Sequence, residues 1–149
     1  WEYLAVDDFR RKHSDGTIKG DSKTKSLFVK SITHTDDISQ IIECTGLGRL
    51  GSSVRKRIQK FEGRIVVLVL MVEKDICLKR LEKRVWDVPF PENITRGNDL
   101  LDKMDKIFQS SFLHERWGVL PNVEYLQLRH ETLEQQKTII EIITLLIRN

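Results

Sequence analysis

The sequence is poor in the groups that build metal centres and covalent cross-links. It has two cysteines, Cys44 and Cys77, with no metal-type spacing and in apolar contexts, so they read as buried thiols of a reducing compartment rather than a disulfide. Its four histidines, His13, His34, His114 and His130, are scattered and share no ligand spacing. No apolar run approaches the roughly 20 residues a membrane helix needs; the longest, Ile65 to Val72, is eight. The start, Trp-Glu-Tyr-Leu-Ala-Val-Asp-Asp, carries acid where a leader carries base. Among eight glycines there is no G-x-x-x-x-G-K-[ST] string; the densest cluster, Gly46-Leu47-Gly48 with Gly51, lacks the Gly-Lys-Ser/Thr ending. There is no internal repeat and no low-complexity tract.

What is present is globular and heavily charged: 40% apolar, 32% charged and a net charge of +3. A mildly basic balance permits polyphosphate or nucleic-acid partners without demanding them. The length fits one domain, and a cytoplasmic location is expected. A strand-like run begins almost at Trp1, which favours a natural start further upstream.

Hydrophobic pattern sets the expected order of elements. Glu2–Val6 reads as a strand closed by Asp7 and Asp8. Thr17–Ser26 reads as polar and exposed, with a helix of uncertain length around Leu27–Ile32. Gln40–Thr45 reads as a second strand broken by Gly46. Leu50, Val54, Ile58 and Phe61 form one apolar stripe of a helix. Ile65–Val72, apolar throughout, fits a central parallel strand buried on both faces. Glu73–Arg84 reads as a short helix with Cys77, Leu78 and Leu81 inward. Pro89 and Pro91 make Trp86–Ile94 a loop. A longer helix is expected over Asn98–Leu113, a restart at Pro121 and a last strand over Val123–Leu128. Thr132-x-x-Gln135 is a capping box that opens a final, broadly apolar helix. Strands alternating with helices imply an α/β fold with a mostly parallel sheet.

In such folds ligands gather at the C-terminal ends of the strands, where three polar sets are expected. Asp7 and Asp8 follow the first strand, with Arg10 and Arg11 just beyond. Glu43, Thr45 and Gly46 end the second strand, with Arg49 close behind. Glu73 ends the third, followed by Arg80 and Arg84 on one helical face. A strand-end carboxylate can take a proton from an attacking hydroxyl or hold Mg²⁺ through water. Two guanidiniums on one face can clamp a phosphoryl group as charge builds on it. Glu43, inside an apolar run, is costly to bury without a partner. The plainer alternatives stay open: an acid pair as helix cap, arginines as a solvated face, and Trp86, Phe90, Phe112 and Trp117 as core or lid packing rather than base stacking. Arg49, Arg55, Lys56, Arg57 and Lys60 make one helix basic, either a solvated face or a nucleic-acid contact.

The series Tyr3-Leu4-Ala5-Val6-Asp7-Asp8-Phe9-Arg10, Ile41-Ile42-Glu43-Cys44-Thr45-Gly46, Val67 to Val72 and Cys77 to Arg84 resembles the P-loop kinases of small substrates and polynucleotide ends. The resemblance implies a three-layer α/β/α, P-loop NTPase-like fold over residues 1–149, lacking the first strand and first helix. A lid-like helical insertion would occupy about residues 86–118. It implies transfer of the γ-phosphoryl of ATP, with Mg²⁺, to a small-molecule or nucleic-acid hydroxyl. Asp8, or Asp7 beside it, would orient or deprotonate the acceptor, and Arg10 or Arg11 would hold its anionic group. Glu43 would order Mg²⁺, Arg80 and Arg84 would stabilise the transferred group, and Arg129 and His130 would lie near the adenine. The phosphate loop would come from a segment or partner chain outside this sequence. Because the missing strand is central in that family, its absence would leave two half-sheets with open edges. Two other readings are a non-catalytic nucleotide- or nucleic-acid-binding module of degenerate P-loop fold, and an unrelated α/β domain whose first strand is truly Trp1–Val6.

Overall fold

The computed structural model describes residues 1–33, 38–87, 89, 91–108, 112–120 and 122–148. In chain order they form β1 (Glu2–Ala5), α1 (Val6–His13), α2 (Ile18–Ser31), β2 (Gln40–Glu43), α3 (Gly48–Ile58), β3 (Ile65–Met71), α4 (Lys74–Glu82), α5 (Ile94–Phe108), α6 (Phe112–Trp117), β4 (Val123–Arg129) and α7 (Leu133–Arg148). The alternation of helices and parallel strands is that of an α/β protein. Among the described residues no helix is long and apolar enough to cross a membrane.

The strands do not form one sheet. β1 pairs in parallel with β2, from Glu2 opposite Gln40 to Ala5 opposite Glu43. β3 pairs in parallel with β4, from Ile65 opposite Val123 to Met71 opposite Arg129. These are two separate two-stranded sheets. The second ladder runs on at both ends, through Ile65 N–H to the Asn122 carbonyl at 3.1 Å and His130 N–H to the Met71 carbonyl at 2.8 Å. The expectation that β3 is buried on both faces is corrected. Ile65 to Val69 are only half-buried, and Leu70 is 43% exposed. Its apolar run has one strand partner, and its other edge is unpaired among the described residues.

One core nevertheless joins the two sheets. Leu4, Val6, Phe28, Ile32, Val54, Trp117 and Leu120 are its buried members, with Ile42, Cys44, Val67, Val123 and Tyr125 packed against them. Phe28, fully buried, meets Phe9 edge-on with ring centroids 5.5 Å apart. The stripe expected for α3 is present as far as Ile58: Val54 is buried, and Leu50 and Ile58 lie against the same core, but the helix ends at Ile58 and Phe61 falls beyond it. Trp117 and Leu120, near the end of the segment read as a lid, are buried in this core.

Two boundaries differ from expectation for physical reasons. The first strand ends at Ala5, so Asp7 and Asp8 occupy the first turn of α1, where the helix dipole favours acid. The stretch expected to be polar and exposed is instead the first half of α2. Asp15 accepts hydrogen bonds from the Thr17 N–H and hydroxyl, and Thr17 in turn caps the Gly20 N–H at 2.9 Å. Gly20, Asp21 and Thr24 are then buried on the face that meets α1. The Thr132 capping box forms as expected, with Gln135 N–H donating to Thr132 Oγ1 at 3.2 Å and Gln135 Oε1 accepting from the Thr132 N–H at 3.1 Å. The helix expected over Asn98–Leu113 is α5, which begins four residues earlier, followed by the separate α6. Pro121, Phe90 and His34 lie outside the described residues.

Candidate functional site

The candidate residues fall into three groups, each at the C-terminal end of a strand. The first surrounds the start of α1. Arg10 donates to Asp7 Oδ1 and to Asp21 Oδ1, both at 2.8 Å, and Lys25 Nζ lies 2.5 Å from Asp21 Oδ2. Arg84 reaches across 77 residues to Asp7 Oδ2 at 3.2 Å, and its guanidinium lies over the Trp86 ring, 5.3 Å from the centroid. Trp86 is held from behind by Gly97, where a Cβ would come within 2.7 Å of the indole. Arg11 pairs with Asp8 at 2.7 Å and with Asp87 at 3.0 Å in the open. That hydrogen bond from Arg11 holds the Asp87 carboxyl below the usual carboxylate range. Five candidates, Asp7, Asp8, Arg10, Arg11 and Arg84, are therefore brought together.

The second group is the turn after β2. Glu43 is exposed and accepts a hydrogen bond from the Tyr3 hydroxyl. The expected burial of this carboxylate is thus corrected: it closes a short edge of the sheet, where water pays its solvation. Thr45 is exposed beside it. Gly46 and Gly48 take φ of +67° and +59°, the left-handed region that favours glycine. The turn is clamped from α6: Trp117 Nε1–H donates to the Gly46 carbonyl at 3.2 Å, and Arg116 reaches the Gly48 carbonyl at 3.4 Å and Ser52 Oγ. Arg55 donates back to the Arg116 carbonyl at 2.6 Å. At Gly51 any Cβ would collide with the Gly46 carbonyl, so the helix start packs directly on the turn. Arg49 points to solvent from the first turn of α3. Burial pushes the Cys44 thiol up, which makes it a poor nucleophile.

The third group lies between β3 and β4. Arg80 donates to the His130 carbonyl at 2.8 Å and contacts His130 Nδ1 at 3.3 Å. Arg129 lies 3.5 Å from Glu73 and 3.4 Å from Glu131. Beside them a cleft of about 510 Å³ is lined by Leu128, Arg129, Thr132, Gln135 and Ile139. Arg80 and Arg84 were expected to share one helical face. Instead α4 ends at Glu82, so Arg84 leaves the helical phase and turns to Asp7 while Arg80 turns to the end of β4.

Sequence reasoning missed Asp21, Asp87, Arg116 and the clamp by Trp117. Only Asp21 left a signal, its i, i+4 spacing from Lys25 and its i+3, i+7 spacing to Thr24 and Phe28, which puts it on the buried face. No group of three or more metal-ligating side chains occurs among the described residues. Compared with known proteins, the chain matches no family model, no curated protein and no solved structure.

Proposed function

We propose that the chain is the larger part of a P-loop kinase-like phosphotransferase, completed by a strand and phosphate loop supplied from outside these 149 residues. The observation that carries this reading is the pair of two-stranded parallel sheets sharing one core, each with edges unpaired among the described residues. A single parallel strand between β2 and β3 would join them into one sheet of order β1-β2-x-β3-β4. It would also cover the half-exposed apolar run of β3. All three candidate groups sit at the same, C-terminal, ends of their strands, where such a fold places its ligands.

In this reading Asp8, the more exposed of the acid pair, orients or deprotonates the acceptor hydroxyl. Arg11 and Arg84 take its anionic group, and Arg10 braces Asp7. Arg80 and Arg129 lie at the opposite strand pair, with Arg129 beside the cleft that would take the adenine. Glu43 supplies one carboxylate toward Mg²⁺. An ion held by one or two carboxylates needs the rest of its shell from water and nucleotide phosphates, which suits an ion that arrives with ATP. Bound MgATP would supply the phosphoryl group; this chain would position the acceptor.

The test is to isolate the native protein and ask whether a Gly-x-x-x-x-Gly-Lys-Ser/Thr segment accompanies the chain, then to titrate MgATP calorimetrically. The expected result is tight MgATP binding with that segment and none by residues 1–149 alone. Tight binding by these residues alone, or a native protein without any such segment, overturns the proposal.

A further inference from the structure

Charge is segregated along this chain. Residues 18–31 and 48–60 carry nine basic side chains and one acid, whereas the whole chain is only +3, so the other 122 residues are net negative. The single acid, Asp21, is buried and spent on Arg10 and Lys25. On α2 the exposed positions are Ile18, Lys19, Ser22, Lys23, Ser26, Lys30 and Ser31; on α3 they are Arg49, Ser53 and Lys56, with Lys60 one turn on. Apart from Ile18 every one is Lys, Arg or Ser. Lys19, Lys23, Ser26 and Lys30 recur at i, i+4, i+7 and i+11, and so do Arg49, Ser53, Lys56 and Lys60. The first set is therefore one solvent-facing stripe about 16 Å long; the second runs along α3 from Arg49 to Lys56, about 10 Å, with Lys60 in the turn just past the helix end.

The two stripes belong to adjoining helices. Arg57 donates to the Ile32 carbonyl at 2.8 Å and the Lys30 carbonyl at 3.4 Å, joining the last turn of α2 to the turn that carries Lys56. Phe28, Ile32 and Val54 pack beneath. Arg55 and Arg57 thus serve the fold, while Lys19, Lys23, Lys30, Arg49, Lys56 and Lys60 form no ion pair with any described residue.

We infer that the α2–α3 face binds the phosphate backbone of a nucleic acid. Lysine, arginine and serine donors are the side chains that contact backbone phosphates, and they carry no base information. No aromatic side chain is exposed on either helix to stack a base, since Phe28 is buried. Binding is therefore sequence-tolerant and driven by counterion release. It goes beyond the phosphotransferase reading and needs no nucleotide.

The test is fluorescence anisotropy of a labelled 20-nucleotide single strand of mixed sequence, titrated with the chain from 25 to 200 mM NaCl. The logarithm of affinity should fall linearly with that of salt, with a slope of about −0.7 per phosphate neutralised, approaching −4 if all six cations engage. Lys19→Gln/Lys23→Gln/Lys30→Gln and Arg49→Gln/Lys56→Gln/Lys60→Gln should each reduce the slope by about 2. All six positions are exposed, so unchanged melting confirms folding. Lys103→Gln/Lys137→Gln, on other helices, should leave binding as it was. Failure to bind at 25 mM NaCl, a slope near zero, or triple variants that bind like the parent would overturn the inference. So would equal or tighter binding to phosphatidylserine vesicles, which would assign the face to a membrane surface. MgATP titration of the Lys19→Gln/Lys23→Gln/Lys30→Gln variant stays separate, because none of these three residues lies in the three candidate groups at the strand ends.

Discussion

Asp21→Asn is the sharpest test of how the α1–α2 unit is held. The Asp21 side chain is 5% exposed and sits between Arg10, 13% exposed, and Lys25, 35% exposed. The amide keeps the shape and can still accept from Arg10 Nε, but it removes the one negative charge between two cations. Breaking a buried pair by neutralising one member costs about 3–5 kcal/mol. Here the figure is reduced, because Lys25 can turn to water and Arg10 keeps Asp7 at 2.8 Å. A loss of about 2–4 kcal/mol is expected, a large share of the ~5–15 kcal/mol available to a domain. Melting should fall by about 5–15 °C for a chain of this size. Urea denaturation followed by far-UV circular dichroism reads the midpoint at constant m. Lys25→Gln alone should cost less, about 1 kcal/mol, because Lys25 is the more exposed partner and the buried Asp21 keeps Arg10 at 2.8 Å. Because the Arg10–Asp21 contact is shielded, most of the Asp21→Asn loss should persist in 1 M NaCl. A change below about 0.5 kcal/mol, or a loss that vanishes in high salt, would refute the buried-bridge account.

Three further outcomes are expected. Asp15, Asp87, Asp102 and Glu124 are all held below their usual range, by hydrogen bonds from Thr17, Arg11, Lys74 and Arg64 respectively. Depressed carboxylates stabilise above their unfolded values, so stability should be flat through neutral pH and decline as pH falls below about 4; thermal melts at pH 3, 4, 5 and 7 check the direction. Trp117→Phe removes the donor to Gly46 at 3.2 Å and also part of a buried ring, so it should cost about 2–3 kcal/mol and loosen the turn after β2, seen as faster amide exchange at residues 46–51. Burial raises both thiols, so Cys44 and Cys77 should alkylate at pH 8 more slowly than free cysteine, and denaturant should abolish the difference.

The elements that were legible in the sequence are those whose signal is local. The α3 stripe, the Thr132–Gln135 cap and the proline-marked gap before α5 all follow from residues a few positions apart. What was not legible depends on partners far along the chain. Asp21 looks like one polar residue among many until Arg10 is placed against it. Arg84 looks like a helical neighbour of Arg80 until the helix stops at Glu82 and Asp7, 77 residues away, takes it. Trp117 was readable as core, but its bond to the Gly46 carbonyl was not, because nothing near residue 117 marks residue 46 as its partner. The candidate residues were gathered at strand ends by a rule of α/β folds; which of them touch one another was decided by tertiary contacts alone.

β3 is where sequence and fold part most usefully. Seven consecutive apolar residues, Ile65 to Met71, are the composition of a strand flanked on both edges and covered on both faces. An edge strand that must face water is normally short, charged or interrupted by proline. β3 is none of these, yet β4 is its only partner among the described residues. β4, by contrast, has the character of an edge: Glu124, Gln127 and Arg129 are exposed along it. The asymmetry singles out the far edge of β3 as the one whose composition expects another strand. Amide exchange separates the alternatives. In the chain alone, β3 groups that face the open edge should exchange within the range of local fraying, while those donating to β4 are protected. If all β3 amides prove equally slow, the edge is already covered and a completing strand is not needed.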